Sequence, residues 1–198
     1  SYHNPYEDSD GYSARNKTEA ATIVQSVLPR LRAGGLNSAE IAVIAPYKSQ
    51  VALIKKEIEA SQNQELAGIE VSTLDSFQGM EFDVIVFSFT RSASPLQENK
   101  KVGFLDDARR LNVAFSRAKK KLILVGNAAT LTQSSSHYDR LFDYTNLFKT
   151  LVNLSKDPSV GQYCDMTDFK NLKSPFERFK EKYPVDSIAE GEVKGIAT

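Results

Sequence analysis

Four short apolar runs punctuate the chain: Ile41–Ala45, Ile69–Val71 with its flanks, Val84–Phe89 and Leu122–Val125. Most are nearly continuous rather than alternating, the pattern of strands buried on both faces of a parallel sheet. Helical patterns lie between or before them. Thr18–Arg32 places Ala21, Val24, Val27, Leu28 and Leu31 on one face. Thr18 is its candidate N-cap and Gly34-Gly35 its stop. Ser49–Ala60 repeats the pattern with Val51, Ile54 and Ile58. Ala108–Leu122 reads as a helix that feeds the fourth strand. Leu111, Ala114, Phe115 and Ala118 form its core-facing stripe. Arg110 and Arg117 lie on the opposite stripe, two turns apart. The alternation of helix and strand predicts a doubly wound α/β domain, with a mostly parallel sheet flanked by helices.

After Asn127 the character changes. Tyr138–Leu154 reads as a helix rich in aromatics, with Tyr138, Phe142, Tyr144 and Phe148 among its large residues. Packing explains that stripe better than a stacking platform for bases. Pro175–Tyr183 reads as one more short helix and Tyr183–Thr198 as a tail. The expected division is therefore an α/β domain over residues 1–135 and a helical extension and tail over 136–198, packed on the domain or trailing it. The polar loop Ser92–Lys101, with Pro95, is expected to be exposed and mobile.

Composition sets outer bounds. A length of 198 residues fits one large domain or a domain with an appendage. Hydrophobic residues make up 41% and charged residues 25%, enough for a full core in an ordinary globular chain. No apolar run approaches the roughly 20 residues of a membrane span, and Ser1–Asp10 is polar and acidic, unlike a signal peptide. Cys164 is the only cysteine, which excludes an internal disulfide and points to a reducing, cytoplasmic setting, or the nucleus. His3 and His137 have no companion cysteine, so no zinc site is expected. The formal net charge of zero argues against a basic coat over the whole domain. Lys100–Lys121, however, holds eight basic residues against two acidic ones, a local excess of +6. Such a patch is either a binding face for phosphate or nucleic acid or plain surface solvation.

Open α/β sheets bind ligands beyond the carboxyl ends of their strands. Three strand exits carry unusual residues: Ala45–Gln50, Val71–Asp83 and Ser88–Arg91. The second, VSTLDSFQGMEFD, is the richest. Ser72 and Thr73 put hydroxyls just past a strand, suited to a phosphate backbone. Gly79 lets the main chain approach a ligand closely. Gln78 and Glu81 flank it with an amide and a carboxylate, and a carboxylate suits a ribose hydroxyl better than a phosphate. Taken alone, this stretch is equally a surface loop with a turn glycine.

Together the segments are more specific. STLDSFQGMEFDVI (Ser72–Ile85) followed by RRLNVAFSRAK (Arg109–Lys119) resembles motifs V and VI of superfamily 1 helicases, in the branch containing the nonsense-mediated-decay helicases and their bacterial relatives. IAVIAPYKSQ (Ile41–Gln50) resembles motif IV, and NKTEA (Asn16–Ala20) resembles the segment that opens their second motor domain. The resemblance runs from about Asn16 to Asn127, with order and spacing preserved.

The resemblance implies a RecA-like fold of the P-loop NTPase class, with ATP held between two such domains. Only the second domain is represented here. Within these residues there is no GxxxxGK[ST] phosphate loop and no acidic Mg²⁺-binding motif, so the fragment alone is expected not to hydrolyse ATP. The partners implied are the first RecA-like domain of the parent chain and a single strand of RNA or DNA. By position, Arg117 resembles the arginine finger that reaches the γ-phosphate. Gly79 and Glu81 resemble nucleotide contacts, with Glu81 facing the ribose. Gln78 resembles the residue coupling nucleotide to nucleic-acid path. Ser72 and Thr73 resemble backbone contacts of motif V, and Arg91 at the third exit joins them. Arg110 resembles the first-turn arginine of motif VI, with a role at the nucleotide or in bracing the helix against a neighbouring acid. One departure stands out: some relatives carry an arginine directly after the motif IV glutamine, and here that position is Val51. That leaves Arg117 as the main candidate finger and Lys48 as a second. The competing reading is a nucleic-acid-binding or scaffold module that keeps the fold without turnover.

Overall fold

The computed structural model describes residues 8–9, 13–77, 79–92, 108–133 and 144–163. All of them belong to one compact unit, Ser1–Tyr163. Gln78, the two histidines, Cys164, most of the Ser92–Lys101 loop and the helix expected at Pro175–Tyr183 lie outside the described residues.

The chain enters through two short antiparallel strands, β1 (Asp8–Ser9) and β2 (Ala14–Arg15). A long helical run follows, divided into α1 (Lys17–Thr22), a π-helical segment Ile23–Val27 and α2 (Leu28–Ala33). Pro29 explains the division. It lacks an N–H for the carbonyl four residues back, and its ring crowds that carbonyl, so a widened turn just upstream relieves both defects. The start also differs from expectation. Asn16, not Thr18, is the N-cap: its backbone is extended and its Oδ1 accepts from the Glu19 N–H at 3.0 Å. The stop is as expected. The N–H of Gly35 donates to Arg32 O at 2.9 Å and that of Leu36 to Leu31 O at 3.3 Å, a Schellman closure around the positive φ of Gly35.

Next come β3 (Ile41–Ala45), α3 (Lys48–Ala60), β4 (Glu70–Thr73), β5 (Phe82–Ser88), α4 (Ala108–Phe115), β6 (Ala118–Val125), α5 (Ala128–Gln133) and α6 (Tyr144–Lys156). The four larger strands form one parallel sheet in the order β4-β3-β5-β6. All five residues of β3 are buried, as are the last five of β5, which is why those runs are continuous in the sequence. β6 closes the described sheet and exposes Lys119, Lys120 and Lys121, charges that discourage edge pairing. The doubly wound α/β reading therefore holds. From β3 the chain goes out to β4, then returns across β3 to β5 and continues to β6. The carboxyl ends of β3 and β5 are neighbours whose onward connections diverge, which makes the gap between them the topological switch point.

The fourth expected helix ends early. α4 stops at Phe115, and Ala118 is already a strand residue opposite Phe82. The Phe82 N–H donates to Arg117 O at 3.2 Å, so pairing with β5 takes over where helical periodicity would have continued. Arg117 thus sits in the turn rather than on a helical stripe. Leu111 and Ala114 do face the core. There Phe87 meets Phe89 and Phe115 edge-on, at centroid distances of 5.1 and 5.2 Å. Phe148 of α6 completes the cluster, perpendicular to Phe89 at 5.6 Å. Phe148 is buried, so at that position the aromatic helix is packing.

Candidate functional site

The parallel sheet sorts the candidate residues by edge. Ser72 and Thr73 end β4, and Arg91 follows the end of β5, so all three belong to the carboxyl edge. Gly79 and Glu81 precede β5, and Arg117 precedes β6, which places them at the amino edge. The loop Leu74–Glu81 crosses from one edge to the other. So does α4, in the same sense: Arg110 in its first turn meets Asp75 beyond β4, with Nη2 to Oδ1 at 3.5 Å. The two arginines of the motif are therefore separated by about 10 Å along the helix direction. They do not converge on one cleft, and each has its own carboxylate.

At the amino edge, the pairing of Phe82 with Ala118 brings Glu81 beside Arg117. Glu81 Oε1 lies 3.8 Å from Arg117 Nη1, and its Oε2 lies 3.8 Å from Lys119 Nζ. One carboxylate is thus bracketed by two cations. Arg117 Nε is buried and has no hydrogen-bond partner, which leaves part of the guanidinium's donor capacity unspent. Gly79 has φ +83°, and a Cβ placed there would meet nothing within 4 Å. The glycine is required by the backbone and not by crowding, and its outer side is open to a ligand. One residue further in, Lys120 Nζ donates to Asp83 Oδ2 at 2.7 Å. That hydrogen bond, reinforced by the Asp83 charge, raises the Lys120 ammonium above its ordinary value of 10.5.

At the carboxyl edge, Ser72 is buried and its Oγ has no partner. Thr73 Oγ1 lies 2.8 Å from Ser76 Oγ and accepts from the Ser76 N–H at 3.3 Å, closing the turn after β4. The Arg91 guanidinium stands over the Tyr47 ring, 5.9 Å from its centroid. Tyr47 follows β3, so this contact spans the switch point.

Sequence reasoning missed a buried polar network just beneath that contact. Glu19 on α1 is 5% exposed, and its Oε2 accepts from Ser88 Oγ at 2.6 Å and from the Thr90 N–H at 2.8 Å. Gln50 on α3 is fully buried. Its Oε1 accepts from the Asn16 N–H at 2.7 Å, and its Nε2 donates to Asn16 O at 3.2 Å and to Ser88 Oγ at 3.1 Å. The signal was present. Glu19 stands one turn before Ile23 and two before Val27 on the buried stripe of the helical run, and Ser88 and Thr90 interrupt an otherwise apolar strand. A charge on an apolar stripe demands a partner.

Among the described residues there is no group of three or more His, Cys, Asp or Glu that could hold a metal ion. No helix among them is long and apolar enough to cross a membrane. Comparison with known proteins gives a match to the AAA domain family over residues 2–129. Among curated proteins, the regulator of nonsense transcripts 1 homolog of Neurospora crassa is 40% identical over 126 residues, covering 62% of this chain and 11% of that protein. The DNA polymerase alpha-associated DNA helicase A of Saccharomyces cerevisiae is 41% identical over 126 residues, covering 64% of this chain and 17% of its own length. The regulator of nonsense transcripts 1 homolog of Drosophila melanogaster is 33% identical over 174 residues, covering 86% of this chain and 13% of its own. The chain thus spans less than a fifth of the length of these relatives.

Proposed function

The chain belongs to the AAA domain family, in the superfamily 1 branch of nonsense-transcript regulators and related helicases, and from that premise we propose that it is the second, RecA-like motor domain of an ATP-dependent helicase acting on single-stranded nucleic acid. The observation that carries this reading is the division of labour between the two edges of the sheet. A carboxylate bracketed by Arg117 and Lys119 occupies one edge, and hydroxyls with a held arginine occupy the other.

The amino-edge group fits a nucleotide. Arg117 has an unspent buried donor, Lys119 adds a second cation, and Gly79 leaves the main chain approachable. In this role Arg117 is the arginine finger, stabilising charge on the γ-phosphoryl group, an effect worth roughly 10³–10⁵ in rate. Glu81 accepts from the ribose. ATP supplies the free energy of the cycle. Its phosphate loop and Mg²⁺ ligands belong to the first motor domain of the parent protein. Gln78 takes the role of coupling the nucleotide to the nucleic-acid path. Arg110 braces α4 against Asp75.

At the other edge, Ser72, Thr73 and Arg91 grip backbone phosphates, contacts that position a strand without reading its bases. A grip that differs between closed and open arrangements of the two motor domains converts turnover into steps. Residues 1–135 form the motor core and 136–198 an extension, and the packing of Phe148 on Phe89 supports docking of its first part. The single cysteine fits a reducing, cytoplasmic location.

The test is ATP hydrolysis by the full-length protein with and without single-stranded RNA and DNA. Stimulation by either strand is expected, and the better stimulator identifies the substrate. Hydrolysis indifferent to both strands contradicts the translocase. Strand binding without any hydrolysis returns the domain to the class of binding modules.

A further inference from the structure

The switch-point crevice between the ends of β3 and β5 holds one held cation, Arg91, and the way it is held is unusual. The segment Ser88–Ser92 is pinned at alternate residues. Ser88 Oγ and the Thr90 N–H both donate to Glu19 Oε2, at 2.6 and 2.8 Å, and Ser92 Oγ accepts from Asn127 Nδ2 at 3.0 Å. Between the pins, Phe89 enters the core and Arg91 turns out over Tyr47. Thr90 has φ +68°, and the Arg91 N–H donates to Phe89 O at 2.7 Å across it. This is a three-residue turn of the positive-φ kind, which is rare and strained. A β-branched residue in that region is an outlier and persists only where its surroundings over-determine it. The surroundings here are the buried Glu19 carboxylate, which accepts from the Thr90 N–H, and Asn16, whose Nδ2 donates to Thr90 O at 3.4 Å.

We infer that Glu19 is a positioning residue for the grip on nucleic acid: it holds the strained turn at Thr90 and so fixes Arg91 over Tyr47, aimed at a backbone phosphate in the crevice. This rests on the reading that the carboxyl edge faces the strand. Glu19 touches no strand itself. Its Oε2 is the acceptor that the Thr90 N–H would lose if Thr90 relaxed to negative φ. That relaxation would swing Arg91 off the ring. The reach of the acceptor matters more than its charge, because a neutral amide oxygen at the same place still accepts from both donors, though more weakly than a carboxylate. Shortening the side chain by one carbon withdraws the oxygen by about 1.5 Å, beyond hydrogen-bond range of the Thr90 N–H.

The experiment measures binding of short fluorescein-labelled oligo(U) and oligo(dT) by the full-length protein across a salt series, for wild type, Arg91→Ala, Glu19→Gln, Glu19→Asp and the double variant Glu19→Asp/Arg91→Ala. Arg91→Ala is expected to weaken binding about tenfold and to make the salt slope shallower by about 0.7, the share of one phosphate contact on a single strand. Glu19→Asp should reproduce both changes, Glu19→Gln should bind clearly more tightly than Glu19→Asp, and the double variant should be no weaker than Arg91→Ala alone. Loss in Glu19→Asp that adds fully to that of Arg91→Ala assigns Glu19 a general structural role and overturns the inference. Wild-type binding by Glu19→Asp, beside a weakened Arg91→Ala, overturns it while leaving the strand-facing edge intact. No effect of Arg91→Ala overturns both.

Discussion

Gly126 ends β6 against Phe89, and its replacement by alanine sets two opposing effects against each other. Its φ is not positive, so alanine suits the backbone there and would by itself stabilise the fold by about 0.4–1 kcal/mol through the unfolded chain. The new Cβ, however, would lie 2.8 Å from Phe89 Cδ2, 3.0 Å from its Cβ and 3.2 Å from its Cγ. Phe89 has no room to yield. Its ring is set between Phe87 at 5.1 Å and Phe148 at 5.6 Å, and its N–H donates to Val125 O at 2.9 Å. Overpacking of this kind costs about 1–3 kcal/mol, so the clash wins and the net loss is roughly 1–2 kcal/mol. In a domain of this size that lowers the melting temperature by roughly 2–8 °C. Urea unfolding of the chain, followed by circular dichroism, should show a lower midpoint with an unchanged slope. In a Phe89→Ala background the Cγ and Cδ2 contacts are gone and only the 3.0 Å approach to Cβ remains, so the same substitution should cost clearly less. A Gly126→Ala chain as stable as wild type would refute the packing argument. So would a loss undiminished in the Phe89→Ala background.

Other substitutions probe separate parts of the account. Asn16→Ala removes the α1 cap and a hydrogen bond from Nδ2 to Thr90 O at 3.4 Å, and thermal unfolding should register a loss of about 1–2 kcal/mol. Ser72→Ala deletes a buried hydroxyl that has no partner, so stability should change by no more than about 0.5 kcal/mol while single-strand affinity falls. A large stability loss would show that the hydroxyl serves the fold. Lys120 has a folded-state pKa above 10.5, so its contribution is complete below that value and is lost as pH rises through the higher one. The stability difference between wild type and Asp83→Asn should therefore be constant at neutral pH and close in strong alkali, and a difference that grows there would reverse the assignment.

Much of the fold was legible because the sheet is parallel. Strands buried on both faces leave unbroken apolar runs, and Ile41–Ala45 and Val84–Phe89 could hardly be read otherwise. Ends of elements were harder. Asn16 outcompetes Thr18 as a cap because its side chain reaches the Glu19 N–H, a matter of two residues that periodicity does not resolve. Arg117 left its expected helical stripe because pairing of β6 with β5 begins at Ala118, a long-range effect invisible in local pattern. The motif residues were legible as a set, but not their geography. Only the parallel order shows that Ser72, Thr73 and Arg91 share one edge while Gly79, Glu81 and Arg117 share the other. The hydrogen-bonded role of Glu19 and Gln50 was not legible because their burial comes from α1, α3 and β5 meeting in space.

The role proposed for Arg117 is to complete a nucleotide site on the amino edge of this domain. The most direct measurement is strand-stimulated ATP hydrolysis by the full-length protein carrying Arg117→Ala, with single-strand binding measured alongside. With Arg117 in that role, turnover should fall by about three orders of magnitude with binding retained. Turnover equal to wild type would contradict it and remove Arg117 from the site.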